Sequence, residues 1–344
     1  MSIIKLNNER FIGGQHEPYF VAELNTSHFG DVSIAKEMIN AAKECGCDCV
    51  KFQSWTTDSL YSKTYYEHNP IAKRFVKKYS LSEKDLKDLA IYCDDKGIGF
   101  SSTPYSLREA EFLVNECNPH FLKIASMELN NKLFLRQLGK LDTAVVLSTG
   151  MGEFSEIEFA VDELIDAGVQ NLCVLHCVSI YPAKSEMINL NNIISLRERF
   201  PSLSIGYSDH TIGCEVASAS IALGASLIEK HFTLDNQKIG MDNQMATMPE
   251  EMKLLVEQCK SVHKALGSYK RIVTDDEYEQ RKNMRRSVVA ARDLEEGTIL
   301  TESDIVLKRP GYGIPADTYE SVIGKRITKK VLADHLILPE TFSK

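Results

Sequence analysis

The segment Ile-Glu-Lys-His-Phe-Thr (228–233) begins with an apolar residue and soon reaches charged and polar side chains. Three other segments follow the same pattern: Val-Lys-Phe-Gln (50–53), Lys-Ile-Ala-Ser-Met-Glu (123–128) and Gly-Tyr-Ser-Asp-His-Thr (206–211). This pattern is typical of parallel strands whose carboxyl ends open into a catalytic site. The lysines, histidines and glutamate of these segments suit an anionic, phosphorylated substrate and a divalent metal.

Eight candidate strands recur along the first three quarters of the chain, and most are separated by roughly 20 to 30 residues, enough for one crossover helix each. Asp31 is expected to cap the first such helix, which ends at Gly46, and Ser155 with Glu158 predicts a capping box for a later one. The pattern predicts an α/β fold, a (β/α)₈ TIM barrel. The candidate strands are Tyr19–Leu24, Cys49–Gln53, Ile98–Ser102, Phe121–Ser126, Ala144–Ser148, Leu172–Cys177, Leu203–Ser208 and Ser226–His231.

The character of the sequence changes after Gly267, which sets the expected end of a catalytic barrel domain spanning residues 1–267. Residues 268–286 are highly charged and are predicted to be a linker. Residues 287–344 combine short strand-like segments with turns, which predicts a small β-rich domain. Within the barrel, the long interval from Thr56 to Tyr79 predicts a loop or lid over the catalytic mouth.

Composition and net charge indicate which kinds of partner the protein can have. The 344 residues are 43% hydrophobic and carry a net charge of −8, without a basic block or a long apolar run. These features argue against nucleic acid and membrane partners. An anionic substrate must then be held by a local group of cations. No signal-peptide core is evident at the amino terminus, and the nine scattered cysteines suggest reduced thiols in a cytoplasmic protein.

The cluster Cys45, Cys47 and Cys49 admits two interpretations. Its alternating spacing suits a helix end that runs into a strand, with buried thiols, better than a metal-chelating knuckle. We therefore expect these three cysteines to be structural.

Together these segments resemble the sialic acid (N-acetylneuraminate) synthases and their relatives that make legionaminic and pseudaminic acids. The tail segment Lys-Arg-Pro-Gly-Tyr-Gly-Ile (308–314) resembles the family's antifreeze-like, or SAF, domain. The matching segments of the barrel are His-Glu-Pro (16–18), Ala-Glu (22–23), Val-Lys-Phe-Gln (50–53), Ser-Thr-Pro (102–104), Lys-Ile-Ala-Ser-Met-Glu (123–128), Leu-Ser-Thr-Gly-Met (147–151), Leu-His-Cys (175–177), Tyr-Pro (181–182), Ser-Asp-His-Thr (208–211) and Glu-Lys-His-Phe (229–232).

The resemblance implies an aldol-type condensation in which C3 of phosphoenolpyruvate attacks the aldehyde of an open-chain N-acylated mannosamine. Water adds at C2 and phosphate leaves. Lys51 and Lys123 are expected to neutralise the carboxylate and phosphate of phosphoenolpyruvate. Glu128 is expected to transfer a proton or hold the sugar. Hydroxyl groups for substrate binding are expected from Thr103, Ser126, Ser148 and Ser208.

The resemblance also implies a metal and a partner subunit. His210 and His231, at the ends of neighbouring strands, are expected to ligate one divalent ion that polarises the sugar aldehyde. Mn²⁺ is the expected ion, with Mg²⁺ and Co²⁺ as alternatives. Arg309 is expected to reach the active site of a partner subunit, which implies a domain-swapped homodimer. The sugar is expected to contact Glu23, Gln53, Ser179, Tyr181 and Asp242.

Three departures from the family pattern leave the acceptor sugar open between N-acetylmannosamine and modified sugars such as diacetamido-trideoxyhexoses. Ser27-His28 replaces the usual Asn-His, Ser179 replaces an asparagine, and Gly240-Met241-Asp242-Asn243-Gln244 replaces a Gly-Pro-Asp sequence. All three are expected near the sugar rather than near phosphoenolpyruvate.

Some assignments stay open on the sequence alone. Lys230 alternates with Glu229 and His231, so its side chain faces either the site or the helices. His176 is either part of the site or barrel filling. Competing functions are a class I aldolase that forms a Schiff base, a synthase acting on a phosphorylated aldose, and a carbohydrate- or ice-binding protein with an inactive barrel. For the phosphorylated-aldose reading we find no extra basic cluster in the sequence.

Overall fold

The computed structural model describes residues 3–6 and 10–342. Two compact units divide at the predicted boundary: the first ends at Gly267 and the second begins at Ser268. The strands are β1 (Ile3–Lys5), β2 (Phe11–Gly13), β3 (Tyr19–Glu23), β4 (Cys49–Ser54), β5 (Gly99–Pro104), β6 (Leu122–Ile124), β7 (Val145–Ser148), β8 (Leu172–Cys177), β9 (Ser204–Asp209), β10 (Leu227–His231), β11 (Ser287–Ala290) and β12 (Ile305–Lys308).

Helices follow most of the strands of the first unit. None of those in the described ranges is both long and apolar enough to span a bilayer. The helices are α1 (Val32–Glu44), α2 (Thr57–Leu60), α3 (Lys63–His68), α4 (Pro70–Tyr79), α5 (Glu83–Lys96), α6 (Leu107–Phe112), α7 (Lys132–Leu138), α8 (Phe154–Asp166), α9 (Ser185–Ile188), α10 (Asn191–Arg199), α11 (Glu215–Ala222), α12 (Pro249–Leu266) and α13 (Asp275–Met284).

Strands β3 to β10 close into a parallel barrel in which β10 pairs with both β3 and β9. The predicted TIM barrel is therefore confirmed. Side chains alternate along each strand, as β4 illustrates. Val50 and Phe52 pack outward in the large core between barrel and helices, whereas Cys49 belongs to a smaller core inside the barrel. Lys51, on the same side as Cys49, points into the barrel near its carboxyl end.

A hairpin of β1 and β2, which the sequence analysis did not identify, precedes the barrel. Its apolar residues Ile4 and Ile12 share the inner core with Tyr19 and Leu227, which lie at the first positions of their barrel strands. The hairpin therefore packs at the amino-terminal end of the barrel. The opposite, carboxyl-terminal end remains available for a functional site.

The helix cap predicted for α1 is observed, whereas the capping box predicted for α8 is formed by other residues. The Asp31 carboxylate accepts hydrogen bonds from the backbone N–H groups of Ser33 and Ile34, as expected for the cap of α1. The capping box of α8 is formed by Glu153 and Glu156 rather than by Ser155 and Glu158, so this helix begins earlier than predicted.

The long interval after β4 is more ordered than predicted. Its residues form the three short helices α2, α3 and α4 rather than a loop. Trp55, Tyr66 and Val76 make a small apolar cluster of their own, against which Tyr105 packs. This segment is thereby anchored to the loop that follows β5.

The second unit contains helix α13 within the predicted linker, followed by a small β-rich core. Strands β11 and β12 pair antiparallel, with Ser287 opposite Lys308. The strand-like segment Glu-Glu-Gly-Thr-Ile-Leu (295–300) forms no regular strand and makes an isolated bridge between Ile299 and Arg326. The unit therefore holds its core with short pairings and turns rather than with long strands.

Candidate active site

A cavity of about 250 Å³ opens at the carboxyl-terminal end of the barrel. Most of its lining residues come from the last positions of barrel strands and from the loops that follow them. This is where a TIM barrel assembles side chains from different strands into one site. The lining residues are Glu23, Lys51, Gln53, Thr103, Tyr105, Lys123, Ala125, Ser126, Met127, Ser148, Met151, Cys177, Ser179, Tyr181, Ser208, His210, Glu229, His231 and Asp242.

The floor of the cavity is a network of buried charges. The Lys51 ammonium forms an ion pair with Glu23 and donates a hydrogen bond to Thr103 Oγ1 at 3.0 Å. Glu229 Oε1 lies 3.2 Å from Lys123 Nζ and 3.9 Å from Lys51 Nζ. The two lysines expected to bind phosphoenolpyruvate are thus already paired with carboxylates. Glu229 is a site residue that the sequence analysis did not select.

Burial and charge act in opposite directions on these groups. For Glu229, burial favours the neutral acid, but the ammonium groups of Lys123 and Lys51 outweigh it and lower the pKa. For Glu23, burial is the largest effect and raises the pKa. Burial tends to lower the pKa of Lys51, yet Glu229 and Glu23 raise it overall. Glu229 is therefore the carboxylate that most firmly keeps its negative charge.

Hydroxyl groups surround this network. Ser208 Oγ donates to Glu229 Oε1 at 3.2 Å, and Ser126 Oγ accepts from the backbone N–H of Gly150 at 2.9 Å. Ser148 Oγ is buried and has no hydrogen-bond partner in the described part of the chain, and the same holds for Glu229 Oε2. Because buried polar atoms are almost always paired, these two atoms mark a place where a ligand atom is expected.

His210 and His231 face each other across the top of β9 and β10, with ring centroids 5.4 Å apart. His210 Nδ1 lies 2.7 Å from the carbonyl oxygen of Val178. Since a carbonyl only accepts, Nδ1 carries a proton in this contact. Burial tends to lower the pKa of His210, but its hydrogen bond with Cys177 raises this pKa overall. Burial, reinforced by the nearby charges of His210 and Lys51, lowers the pKa of His231 well below its usual range.

The sequence analysis expects this pair to ligate a divalent ion, and that assignment stays a prediction. A neutral His231 and a His210 fixed by its backbone bond supply two imidazole nitrogens. No group of three or more His, Cys, Asp or Glu side chains in the described ranges is arranged to hold a metal.

Cys177 is a second lining residue that the sequence analysis did not select for the site. Its Sγ lies 3.8 Å from Ser126 Oγ and 3.9 Å from Ser179 Oγ. Burial disfavours its thiolate, but hydrogen bonding to His210 outweighs this and lowers the pKa of Cys177 to about 7. Its position as the last residue of β8, two residues before Ser179, was the only signal available in the sequence.

The residues that the sequence analysis assigned to the sugar also line the cavity. Gln53 Nε2 donates to Glu23 Oε1 at 3.0 Å, and Tyr181 packs on His210 with ring centroids 4.2 Å apart. Asp242 accepts a hydrogen bond from the side-chain amide of Asn25. Ser179 lies beside Cys177. All four expected side chains, with Glu23, therefore line one cavity.

The loop that carries Asp242 is held by its neighbour Asn243, which is 1% exposed. Asn243 Oδ1 accepts from Thr233 Oγ1 at 2.6 Å. Its Nδ2 donates to the carbonyl oxygens of Asp235 and Lys238 at 2.8 and 2.7 Å. The residue that replaces the family pattern after Asp242 thus organises the loop from inside.

Two sequence expectations differ from the placement of the residues, and a third stays a prediction. Glu128 is buried outside the cavity lining and accepts a hydrogen bond from Asn131 Nδ2 at 2.6 Å, because the chain turns into a short 3₁₀ helix at Ser126–Glu128. Ser27 and His28 are buried and do not line the cavity either. Arg309 belongs to the second unit, so its expected role in a partner subunit stays a prediction.

The open assignments are resolved by strand geometry. Lys230 points away from the cavity, donating to Asp209 Oδ2 at 2.6 Å and to the carbonyl of Thr211 at 2.8 Å. His176 Nε2 lies 2.7 Å from the carbonyl oxygen of Ile188, outside the cavity lining. Cys45, Cys47 and Cys49 are free and buried, in agreement with the structural interpretation.

Two protein families match the chain. The NeuB family matches residues 38–271 and the SAF domain matches residues 285–343. A (β/α)₈ barrel with this polar mouth and a small β-rich tail is thus the architecture of a sialic-acid-type synthase. The chain belongs to the NeuB family, and the resemblance found in its motifs is confirmed.

Named relatives of the chain extend across most of its length. It is 37% identical to N,N'-diacetyllegionaminic acid synthase of Campylobacter jejuni, over 92% of this chain and 98% of the relative. Human N-acetylneuraminate-9-phosphate synthase is 33% identical to the chain, over 96% of this chain and 94% of the relative. The crystal structure of N-acetylneuraminic acid synthetase from Leptospira borgpetersenii has a TM-score of 0.75 and 32% identity, covering 81% of this chain and 95% of that one.

Proposed function

We propose that this protein is a nonulosonic acid synthase that condenses phosphoenolpyruvate with an open-chain N-acylmannosamine-type sugar and releases phosphate. The observation that carries the proposal is the cavity itself. It combines two buried lysines, a neutral imidazole beside a fixed one, and the unpartnered atoms Ser148 Oγ and Glu229 Oε2. Membership of the NeuB family supports the same reaction class.

The charges of the cavity floor suggest which residues bind the substrate and which one carries a proton. Lys51 and Lys123 face three carboxylates of the lining, namely Glu23, Glu229 and Asp242. An anionic substrate entering this cavity would compete with Glu229 for the two ammonium groups. The raised pKa of Glu23 suits it to hold a proton near the reacting atoms, while the lysines orient the carboxylate and phosphate. Ser148 Oγ and Ser208 Oγ would complete the hydrogen bonds to these oxygens.

Positive charge beyond the two lysines would come from a divalent ion on His210 and His231. Bound there, Mn²⁺ or a similar ion would act as a Lewis acid on the sugar aldehyde. The residues of this chain would fix its position: His210 through the carbonyl of Val178, and His231 as a neutral ring next to Glu23 in the barrel register. Tyr181 packs against both rings and would shield them from water.

The acceptor is assigned to the class of unphosphorylated N-acylated sugars. Both lysines of the cavity lining are paired with carboxylates, and no other lysine or arginine among the described residues lines it. The barrel of one subunit therefore offers no unpaired cation for a second phosphate among its described residues. Met127 and Met151 lie at the mouth and are half or more exposed, which suits the methyl of an acetamido group.

A partner subunit is proposed to complete the site. The loops after β6 to β10 expose apolar side chains around the mouth, an unusual surface for a monomer. We assign the covering surface to the tail unit of a second copy, with Arg309 as the cation that it brings. The exposed apolar residues of the rim are Met127, Met151, Ile180, Tyr181, Ile212, Ile239 and Met241.

The competing functions fit this site less well. A Schiff-base aldolase needs a lysine that loses its proton easily, whereas ion pairing raises the pKa of Lys51. A sugar-binding protein with an inactive barrel has no need for buried unpartnered atoms such as Ser148 Oγ beside an ordered pair of histidines.

The test is phosphate release from phosphoenolpyruvate with Mn²⁺ in the presence of N-acetylmannosamine, 2,4-diacetamido-trideoxymannose, the corresponding altrose derivative or plain mannose. Release with one of the acylated sugars, and none with mannose, is the expected result. A borohydride-trapped adduct on Lys51 or Lys123, without metal dependence, would favour the aldolase. Failure to bind phosphoenolpyruvate would overturn the proposal.

A further inference from the structure

A second cavity, of about 710 Å³, lies on the first unit between the loop after β4 and the helices α4, α5 and α6. It is separate from the catalytic cavity and shares none of its lining residues. Its residues are Ser54, Trp55, Thr56, Thr57, Lys73, Lys77, Ser80, Leu81, Ser82, Glu83, Lys84, Leu86, Arg108, Glu109 and Phe112.

Cations converge on this cavity. Lys73, Lys77 and Lys84 all line it, and none of them forms an ion pair with another residue of the described ranges. Arg108 also lines it and contacts Glu83 at 3.2 Å, but both partners are largely exposed, so this pair is weak. The four cations outnumber the two carboxylates of the lining, Glu83 and Glu109, and this excess of positive charge at one concave surface raises the local concentration of anions.

The amino terminus of α5 adds to the positive electrostatic potential of this cavity. Ser82 caps this fourteen-residue helix, and Ser82, Glu83 and Lys84 all line the cavity. The Ser82 hydroxyl already accepts from the backbone N–H of Asp85, so the N–H groups of Glu83 and Lys84 are the first donors left without a partner within the helix. The helix dipole favours an anion at these two groups, against the side-chain charges of Glu83 and Asp85 in the same turn.

A buried donor without an acceptor provides independent support. Trp55 is 5% exposed and lines the cavity, yet its Nε1 has no hydrogen-bond partner in the described part of the chain. An indole N–H is a donor only, and leaving it unpaired when buried is costly. A ligand oxygen near this edge of the cavity would satisfy it.

The chemistry of the other walls defines the ligand further. Leu81, Leu86 and Phe112 give the cavity an apolar side, while Ser54 and Thr56 give it hydroxyls. The cavity is thus polar and cationic on one side and apolar on the other. That combination suits a small organic molecule with a phosphate or carboxylate group.

We propose that this cavity is a binding site for a small phosphate- or carboxylate-bearing molecule, held by Lys73, Lys77, Lys84 and the start of α5. The site is distinct from the catalytic cavity, although the two come close. Trp55 packs edge-on against Tyr105, which lines the catalytic cavity, with ring centroids 5.6 Å apart. Any test must therefore separate binding at the two places.

The protein supplies its own probe, since Trp55 is the only tryptophan in the chain. The full-length protein is titrated with inorganic pyrophosphate in metal-free buffer at constant ionic strength, and tryptophan fluorescence is followed. We expect a saturable change. In the double variant Lys77→Gln/Lys84→Gln we expect the Kd to rise at least about tenfold, because a charge-assisted hydrogen bond contributes at least about a factor of ten.

Two control variants locate the binding. Lys253→Gln/Lys264→Gln removes two exposed lysines of α12 outside the cavity and should titrate like wild type. Lys51→Gln, with its fold checked by circular dichroism, alters the catalytic cavity and should also leave the Kd unchanged. No saturable change, an unaffected Lys77→Gln/Lys84→Gln variant, or a response lost in Lys51→Gln would each overturn the proposal.

Discussion

Lys123 Nζ lies 3.2 Å from Glu229 Oε1 at the floor of the catalytic cavity, and both side chains are almost completely buried. Replacing Glu229 by glutamine leaves Lys123 without its counter-charge. Breaking a buried ion pair from one side costs about 3 kcal/mol or more, so the free energy of unfolding of Glu229→Gln is expected to fall by that order.

Phosphoenolpyruvate should restore part of this loss, because its anionic groups would take the place of the missing carboxylate. The measurement is the rise in Tm on adding phosphoenolpyruvate, which should be larger in Glu229→Gln than in wild type. Glu229→Asp keeps the charge and serves as the control. Equal rises in wild type and Glu229→Gln would show that the substrate does not use these lysines.

Substitution of either histidine of the facing pair should remove metal binding. We expect His210→Gln and His231→Gln each to weaken Mn²⁺ binding at least about 100-fold, more than the loss of an outer-shell partner. Mn²⁺ binding is measured directly by calorimetry or by electron paramagnetic resonance, independently of activity. His68→Gln, an exposed histidine of α3, should bind Mn²⁺ normally. Unchanged binding in both site variants would remove the metal assignment.

The proposed exchange of tail units predicts complementation between inactive subunits. Arg309→Ala and Lys123→Ala are each expected to be inactive alone. When the two are unfolded together and refolded as a mixture, a mixed dimer pairs an intact barrel with an intact tail from its partner, so activity should return. Recovery would be absent if Arg309 served its own barrel. Refolding each variant separately before mixing gives the baseline.

Asn243 should act as a positioning residue for Asp242. Asn243→Ala removes three hydrogen bonds that hold the loop, one of them buried and two partly buried. We expect the KM for the acceptor sugar to rise about tenfold, with binding of phosphoenolpyruvate unchanged, since one lost contact of 1.4 kcal/mol corresponds to a factor of ten. Gln244→Ala, at the exposed neighbouring position, is the matched control. A parallel loss of phosphoenolpyruvate binding would point to general unfolding instead.

The second unit should show an acid-dependent loss of stability at Asp304. The Thr301 hydroxyl and backbone N–H, followed by Arg292, hold the pKa of this carboxyl below its usual range. A folded-state pKa below the unfolded value contributes stability above the unfolded pKa, which is lost as the pH falls through the folded pKa. Asp304→Asn should therefore be less stable than wild type at neutral pH, with the difference shrinking in acid. A constant difference would exclude this linkage.

The sequence predicted the barrel well because each buried strand is a short apolar run with a fixed spacing to the next. It also predicted that Lys51, Lys123, His210 and His231 lie near one end of the barrel, since a strand that changes from apolar to polar marks the carboxyl end of a parallel sheet. Lys51 and Lys123 lie within β4 and β6 rather than at their last positions. The sequence did not reveal which side chains of a strand point into the barrel. Glu229 alternates with Lys230, a pattern that identifies opposite faces but not which residue points inward.

Other differences have equally local causes. Glu128 was expected at the site because it follows Ser126 closely, but a 3₁₀ turn at this point moves it toward Asn131. The hairpin of β1 and β2 consists of segments too short for a clear pattern. The second cavity depends on helices α4 and α5 meeting the loop after β4, a tertiary arrangement that no single segment encodes.

The outward ion pair of Lys230 with Asp209 bears on how the barrel reaches its correct alignment. A slip of β10 by one position would turn Lys230 inward, toward Lys51 and Lys123, and would carry Glu229 and His231 out among the helices. Such a misaligned barrel would bury three lysine ammonium groups together and would leave the Glu229 carboxylate unpaired among apolar side chains. The alternation of charge along β10 thus disfavours the wrong alignment during folding, so residues of the candidate site also specify how the barrel assembles.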